Sequence, residues 1–155
     1  MQHAMTLTAG FARDQQAAIR ASKLFDRARQ AADKHRRHAH STRQLLALSE
    51  IQEQYTITGR HYAGIQAVAL DDIRGSVNRV TDFDADLYPL TDHIKGRWMS
   101  VAAVMASGAN LPPVELIKVG DVYFIVDGHH RISAARMIKR DFVDAVVTVW
   151  DIEQN

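Results

Sequence analysis

Five consecutive residues, Asp127-Gly128-His129-His130-Arg131, bring together a carboxylate, a glycine, two imidazoles and a guanidinium. The apolar run 122–126 before them has the length and composition of a buried strand. Ile132, Ala135, Met137 and Ile138 after them have the spacing of one helix face, which predicts a helix over 129–139. The segment therefore reads as strand, turn and helix start. A helix N-terminus presents unpaired amide N–H groups and the positive end of the macrodipole, so phosphate is its natural ligand. Gly128 lets the backbone approach closely, and Arg131 in the first turn adds a planar fork suited to phosphate oxygens. His129 and His130 add ring donors whose charge depends on local pH, and Ser133 adds a hydroxyl. Asp127 repels phosphate unless a cation or a substrate hydroxyl stands between them, which makes it a candidate Mg²⁺ ligand or general base. As a helix N-cap it needs no ligand at all.

The elements that must position this segment follow from the rest of the pattern. Residues 10–37 are rich in Ala, Gln, Arg and Lys, with no Pro and no Gly after Gly10, and predict a long helix with a narrow apolar stripe of Phe11, Ala18, Ile19, Leu24, Phe25 and Ala28. Ser41 or Thr42 caps a second expected helix running to Gln54, with Leu45, Leu46, Leu48 and Ile51 buried, so the two form a helical hairpin. Residues 65–70 read as a strand and 71–79 as a loop bearing Arg74 and Arg79. Asp92 is the expected N-cap of a helix to Ser107, ended by Gly108, with Trp98, Val101, Ala102 and Met105 inward. Leu111-Pro112-Pro113 admits neither helix nor central strand and hands over to a hairpin of 114–119 and 122–126 around Gly120-Asp121. Residues 142–150 close the pattern as a strand.

At 155 residues, 46% of them hydrophobic, the chain has the size of one ordinary domain with a sizeable core. It has no cysteine, which removes disulfides, thiol catalysis and cysteine-ligated metal sites. Neither a signal-peptide pattern nor eighteen consecutive apolar residues occur, so a cytoplasmic protein without a membrane partner is expected. The net charge of +1 conceals an asymmetry. Residues 1–60 carry ten Lys or Arg against five Asp or Glu, and residues 61–155 carry nine against thirteen. A basic arm on an acidic body can lie on nucleic acid, on an acidic membrane surface, against its own body, or on a second copy, giving a homo-oligomer through the N-terminal helices. The basic run His35-Arg36-Arg37-His38-Ala39-His40 can touch nucleic acid, but it also sits at a predicted helix C-terminus, where cations favour the dipole.

Residues 68–150 resemble the fold shared by the N-terminal domain of ParB chromosome-partitioning proteins, the sulfiredoxins and the free-serine kinases. The likeness rests on Asp-Gly-His-His-Arg at 127–131 followed by Ala134-Ala135-Arg136, where ParB proteins have Gly-Glu-Arg-Arg and sulfiredoxins Gly-Cys-His-Arg. A preceding loop with Asn78-Arg79 and Phe83-Asp84, a helix, and Pro113-Val114 opening a strand complete it. The resemblance implies an α+β domain with a small mixed sheet at 61–155, preceded by a basic helical extension at 1–60. It also implies that the motif holds the phosphates of CTP, ATP or ADP with Mg²⁺, and that Arg79 approaches the nucleotide. Position 129 is His where sulfiredoxins have their cysteine nucleophile. No helix-turn-helix follows within these residues, so site-specific partition by this chain alone is not expected.

Three functions follow as expectations. The first is a ParB-like nucleotide-binding module, its ligand controlling self-association or DNA contact. The second is a phosphotransferase on a small hydroxyl compound such as serine, resembling the free-serine kinases, with Asp127 catalytic and an upstream carboxylate from Asp71, Asp72, Asp82, Asp84 or Asp86. The third is a DNA-associated accessory protein using the basic arm.

Overall fold

In the computed structural model, which describes residues 2–38 and 44–155, the pattern folds into a mixed α/β architecture around one six-stranded sheet. The elements are α1 (Gln2–His38), β1 (Leu46–Ala47), α2 (Leu48–Gln54), β2 (Tyr55–Ala69), a 3₁₀ turn (Leu70–Asp72), β3 (Ile73–Ser76), α3 (Lys95–Ala106), β4 (Val114–Val119), β5 (Val122–Asp127), α4 (His129–Met137) and β6 (Phe142–Gln154). The spatial order is β1-β3-β5-β4-β6-β2. The β4–β5 and β2–β6 pairs are antiparallel and the other three parallel. Among the described residues no helix is long and apolar enough to cross a membrane.

The long first helix forms as its composition predicts, about 55 Å of it at the usual rise per residue. Among its described side chains the buried positions are Ala21, Phe25, Ala28 and Ala32, spaced by three or four and therefore on one face. That face lies on α3, where the Phe25 ring meets Trp98 edge-on at 5.4 Å. Lys95 reaches Asp26 at 3.3 Å, and Arg29 donates to Asp92 at 3.2 Å and to the carbonyl of Pro89 at 3.2 Å. Of the predicted stripe, Ile19 is exposed. At the far end of the helix His35 lies 3.2 Å from Asp86 and 3.7 Å from Asp84.

The second predicted helix is corrected. Ser41 and Thr42 lie outside the described residues, and helix is found only at Leu48–Gln54, after the two-residue strand β1. Leu45 and Leu48 are buried as expected, whereas Leu46 is exposed. The cause is non-local: Leu46 and Ala47 pair in parallel with Gly75 and Ser76, a partner strand that itself reads as loop in the sequence. Gly75 makes this possible, because a Cβ there would stand 2.3 Å from the Phe124 ring and 2.9 Å from the Leu46 carbonyl. The strand expected at 65–70 begins ten residues earlier, at Tyr55, so position 60 falls within β2, with Arg60 opposite Trp150. Asp92 is not a side-chain N-cap. Helix α3 starts at Lys95 after Ile94, while the Asp92 carbonyl accepts the Lys95 N–H at 3.1 Å.

Two apolar layers flank the sheet. The larger contains Phe25, Trp98, Phe83, Val114, Leu116, Ile125, Ile132 and Val147 and joins α1, α3 and α4 to one face. The smaller, with Leu48, Val119 and Phe124 backed by Ile51 and Trp150, fills the other face beneath α2. Strand β5 runs through the middle and delivers its last residue, Asp127, to the turn before α4.

Candidate anion site at the start of helix α4

Helix α4 begins as predicted directly after Gly128, whose φ of 107° lies in the left-handed region. No side chain caps it. The first helical rung is the Ile132 N–H donating to the Gly128 carbonyl at 2.9 Å. The amides of His129, His130 and Arg131 therefore precede the ladder and form the donor cluster expected of a helix start. Glycine at 128 is required by its neighbours: a Cβ would come within 2.5 Å of Val114 Cγ1 and 3.3 Å of an Arg131 guanidinium nitrogen.

A small cavity of about 120 Å³ opens in front of these amides, lined by Arg79, Arg97, Val101, Asp127, Gly128, His129, His130 and Arg131. Five of the predicted site residues thus sit together with Arg79, which arrives from the loop after β3. Arg97 carries no sequence motif. It stands in the first turn of α3, and only the packing of α3 beside α4 brings it to the cavity. The volume is well below the roughly 300 Å³ at which pockets for whole small molecules begin, and suits a phosphoryl-sized group.

The electrostatics favour an anion. Both imidazoles are held down to about 4: His129 by burial first and then by Arg79 and His130, His130 by burial and then by Arg97 and Arg79. At neutral pH both rings are uncharged, and the positive charge facing the cavity comes from guanidinium groups. Arg79 is shared with Asp82 at 3.4 Å, while among the described residues no carboxylate lies within 4.0 Å of Arg97. Phe83 backs both rings, stacked on His129 at 6.0 Å and edge-on to His130 at 5.7 Å.

Two predicted residues are placed differently from the sequence picture. Arg131 is committed to the protein itself. It donates to the carbonyls of Pro112 and Pro113, the latter at 3.3 Å, and lies 3.1 Å from Asp127, with its side chain 16% exposed. It clamps the strand opening at Pro113 to α4 and lines the cavity from the side. Ser133 does not line the cavity; it is fully buried and accepts the Trp98 indole N–H at 2.8 Å. Arg74 donates to the Asp71 carbonyl at 3.2 Å, in keeping with a local surface role.

Asp127 is 70% exposed and is the carboxylate among the residues that line the cavity. Among the described residues no three His, Asp or Glu side chains converge as a metal cage. Mg²⁺ commonly keeps several waters and takes one or two carboxylates together with substrate phosphates. Asp127 fits that mode, for an ion that enters with its phosphate, once it exchanges Arg131 for the metal.

No protein-family model matches the chain, and no curated protein matches it. Among solved structures it is similar to sulfiredoxin from Arabidopsis thaliana, at 16% identity over 55% of this chain and 84% of that one, with a TM-score of 0.42. It is also similar to a conserved hypothetical protein from Pyrococcus furiosus, at 20% identity over 56% of this chain and 33% of that one, with a TM-score of 0.41. The chain thus spans about a third of the Pyrococcus protein. The likeness is one of backbone arrangement and carries no residue role to this chain.

Proposed function

We propose that this protein is a phosphate-binding module whose ligand is a nucleotide, the phosphoryl group sitting before α4 and Mg²⁺ entering with it against Asp127. The observation that supports this best is the convergence of Arg79, Arg97 and three amides outside the helical ladder on one cavity beside two uncharged imidazoles. The cavity takes one phosphoryl group, so the nucleoside lies outside it. Ligand binding then acts on whatever the nucleoside touches, which suits control of association or of DNA contact better than enclosed chemistry. Calorimetric titration with CTP, ATP, ADP, GTP and inorganic phosphate, each with and without Mg²⁺, tests it. Binding by at least one nucleotide, weakened in Arg97→Ala, is expected, and absence of heat with every one of them rejects the proposal.

A phosphotransferase is favoured by one specific feature. Asp82, held by Arg79 at 3.4 Å, acts electrostatically on both His129 and His130, so a second carboxylate, besides Asp127, bears on the imidazoles that line the cavity. Incubation with serine and ATP or ADP, followed by ³¹P NMR, distinguishes it: a phosphoserine signal lost in Asp127→Asn supports transfer, and an unchanged nucleotide spectrum excludes it.

A further inference from the structure

Ser76, at the end of β3, is fully buried, and its hydroxyl is completely used. Its Oγ accepts the backbone N–H of Arg79 at 3.0 Å and that of Asn78 at 3.3 Å, and lies 2.7 Å from His129 Nε2. A serine hydroxyl has two lone pairs and one proton. The two amides occupy the lone pairs, so the proton goes to His129, and Nε2 must be the unprotonated, accepting nitrogen. The ring proton is therefore on Nδ1. Among the described residues Nδ1 has no hydrogen-bond partner, nor is it one of the sealed polar atoms, and His129 lines the cavity.

We propose that Ser76 is the positioning residue of this site: with one hydroxyl it fixes His129 as the Nδ1–H tautomer, a neutral donor to the bound anion, and holds the turn that presents Arg79. The contact to the anion rests on the phosphate-binding proposal above; the tautomer and the turn do not. Burial supplies the condition the latch needs, because a protonated His129 would carry hydrogens on both nitrogens and could not accept from Ser76. One side chain thus couples two parts of the site that come from distant stretches of sequence, the β3 loop and the α4 start.

The tautomer can be read directly. In ¹⁵N-labelled full-length protein at pH 7, two-bond ¹⁵N–¹H correlations of His129 are expected to show a protonated Nδ1 and an unprotonated Nε2. A proton on Nε2 overturns the latch whatever the protein binds. Adding inorganic phosphate is expected to shift the Nδ1 resonance. Ser76→Ala is expected to lose the single-tautomer pattern and to weaken phosphate binding about tenfold, the loss of one hydrogen bond to a charged group and some disorder of Arg79. Unchanged phosphate affinity in a folded Ser76→Ala protein overturns the positioning role. The Nδ1–H form with no phosphate-dependent shift while calorimetry shows phosphate bound overturns the ligand contact alone; no shift together with no heat overturns phosphate binding as well, leaving the latch as a structural device. Should Ser76→Ala fail to fold, the wild-type tautomer and its response to phosphate still decide.

Discussion

Trp98 donates its indole N–H to Ser133 Oγ at 2.8 Å, and neither residue reaches solvent. This bond pins α3 to α4, the helices from which Arg97 and His130 line the cavity. Removing the acceptor strands a buried donor, which costs about 1–3 kcal/mol. Ser133→Ala is therefore expected to lower the urea midpoint by a corresponding amount and to weaken anion binding only through the displacement of Arg97. An unaltered midpoint would show that the indole finds another acceptor.

Arg97 and Arg131 make opposite predictions although both line the cavity. Arg97→Ala should weaken phosphate or nucleotide binding by about tenfold to a hundredfold, the value of a charge-assisted contact, with little change in stability. Arg131→Ala should instead lower the melting temperature, since it frees the carbonyls of Pro112 and Pro113 and leaves Asp127 unpaired. Calorimetry and thermal melts on both variants check the split, and a stability loss confined to Arg97→Ala would reverse the assignment.

Gly128 is constrained twice, by its positive φ and by Val114. The backbone cost of a side chain there is about 1–2 kcal/mol before any clash is counted. Gly128→Ala should destabilise by more than that, and the double variant Gly128→Ala, Val114→Ala by less than the sum of the two singles, because the second change removes the collision and not the strained φ. Strict additivity in denaturant titrations would contradict the geometry.

The pH dependence has a definite sign. His129 and His130 titrate near 4 in the folded chain, below the ordinary 6.5. The unfolded chain therefore binds more protons between those limits, and the stability these rings contribute is complete above about pH 6.5 and is lost as pH falls toward 4. Asp84 acts in the opposite direction, since burial raises its pKa and protonation then favours the folded form. Denaturation at pH 7.5 and 4.5 should show a loss on the order of 1–3 kcal/mol per ring, reduced by Asp84. In His130→Gln the slope should flatten by roughly one ring's share; an identical slope in that variant would place the titrating groups elsewhere.

On α1 the contrast between Phe25 and Ile19 is testable. Phe25 is fully buried against Trp98, so Phe25→Ala should cost about 3–5 kcal/mol. Ile19 is 56% exposed, and Ile19→Ala should stay within about 0.5 kcal/mol. Equal effects in urea titrations would mean that the helix is seated differently.

The parts legible in the sequence are those whose signals are local. The β4–β5 hairpin, the Gly128 turn and the start of α4 each follow from a few adjacent residues, and all three stand where the pattern puts them. Strands β1 and β3 are not legible, because two residues and an Ile-Arg-Gly-Ser segment become strands only by pairing with one another and with β5. The early start of β2 had a signal in Tyr55-Thr56-Ile57-Thr58, β-branched and aromatic residues directly after a helix former. At the site, Asp127 to Arg131 and Arg79 are brought together as their chemistry suggests. Arg97 was invisible because an arginine on an amphipathic helix has no neighbour in sequence that marks it. The inward commitment of Arg131 was invisible because its acceptors are backbone carbonyls eighteen and nineteen residues away.

The β2–β6 ladder also bears on how the chain is made. Tyr55 stands opposite Gln154 and Ala69 opposite Phe142, so every rung joins residues at least 73 positions apart (142 less 69). On the ribosome, α1 and β2 are complete long before β6 exists, and β2 has no other neighbour in the sheet. Its fifteen residues wait as an unpaired edge until residues 142–154 emerge to separate them from β4. During that interval β2 is open to strands of neighbouring nascent chains. The order of synthesis thus leaves the longest strand of the sheet without its partner until the last element is made.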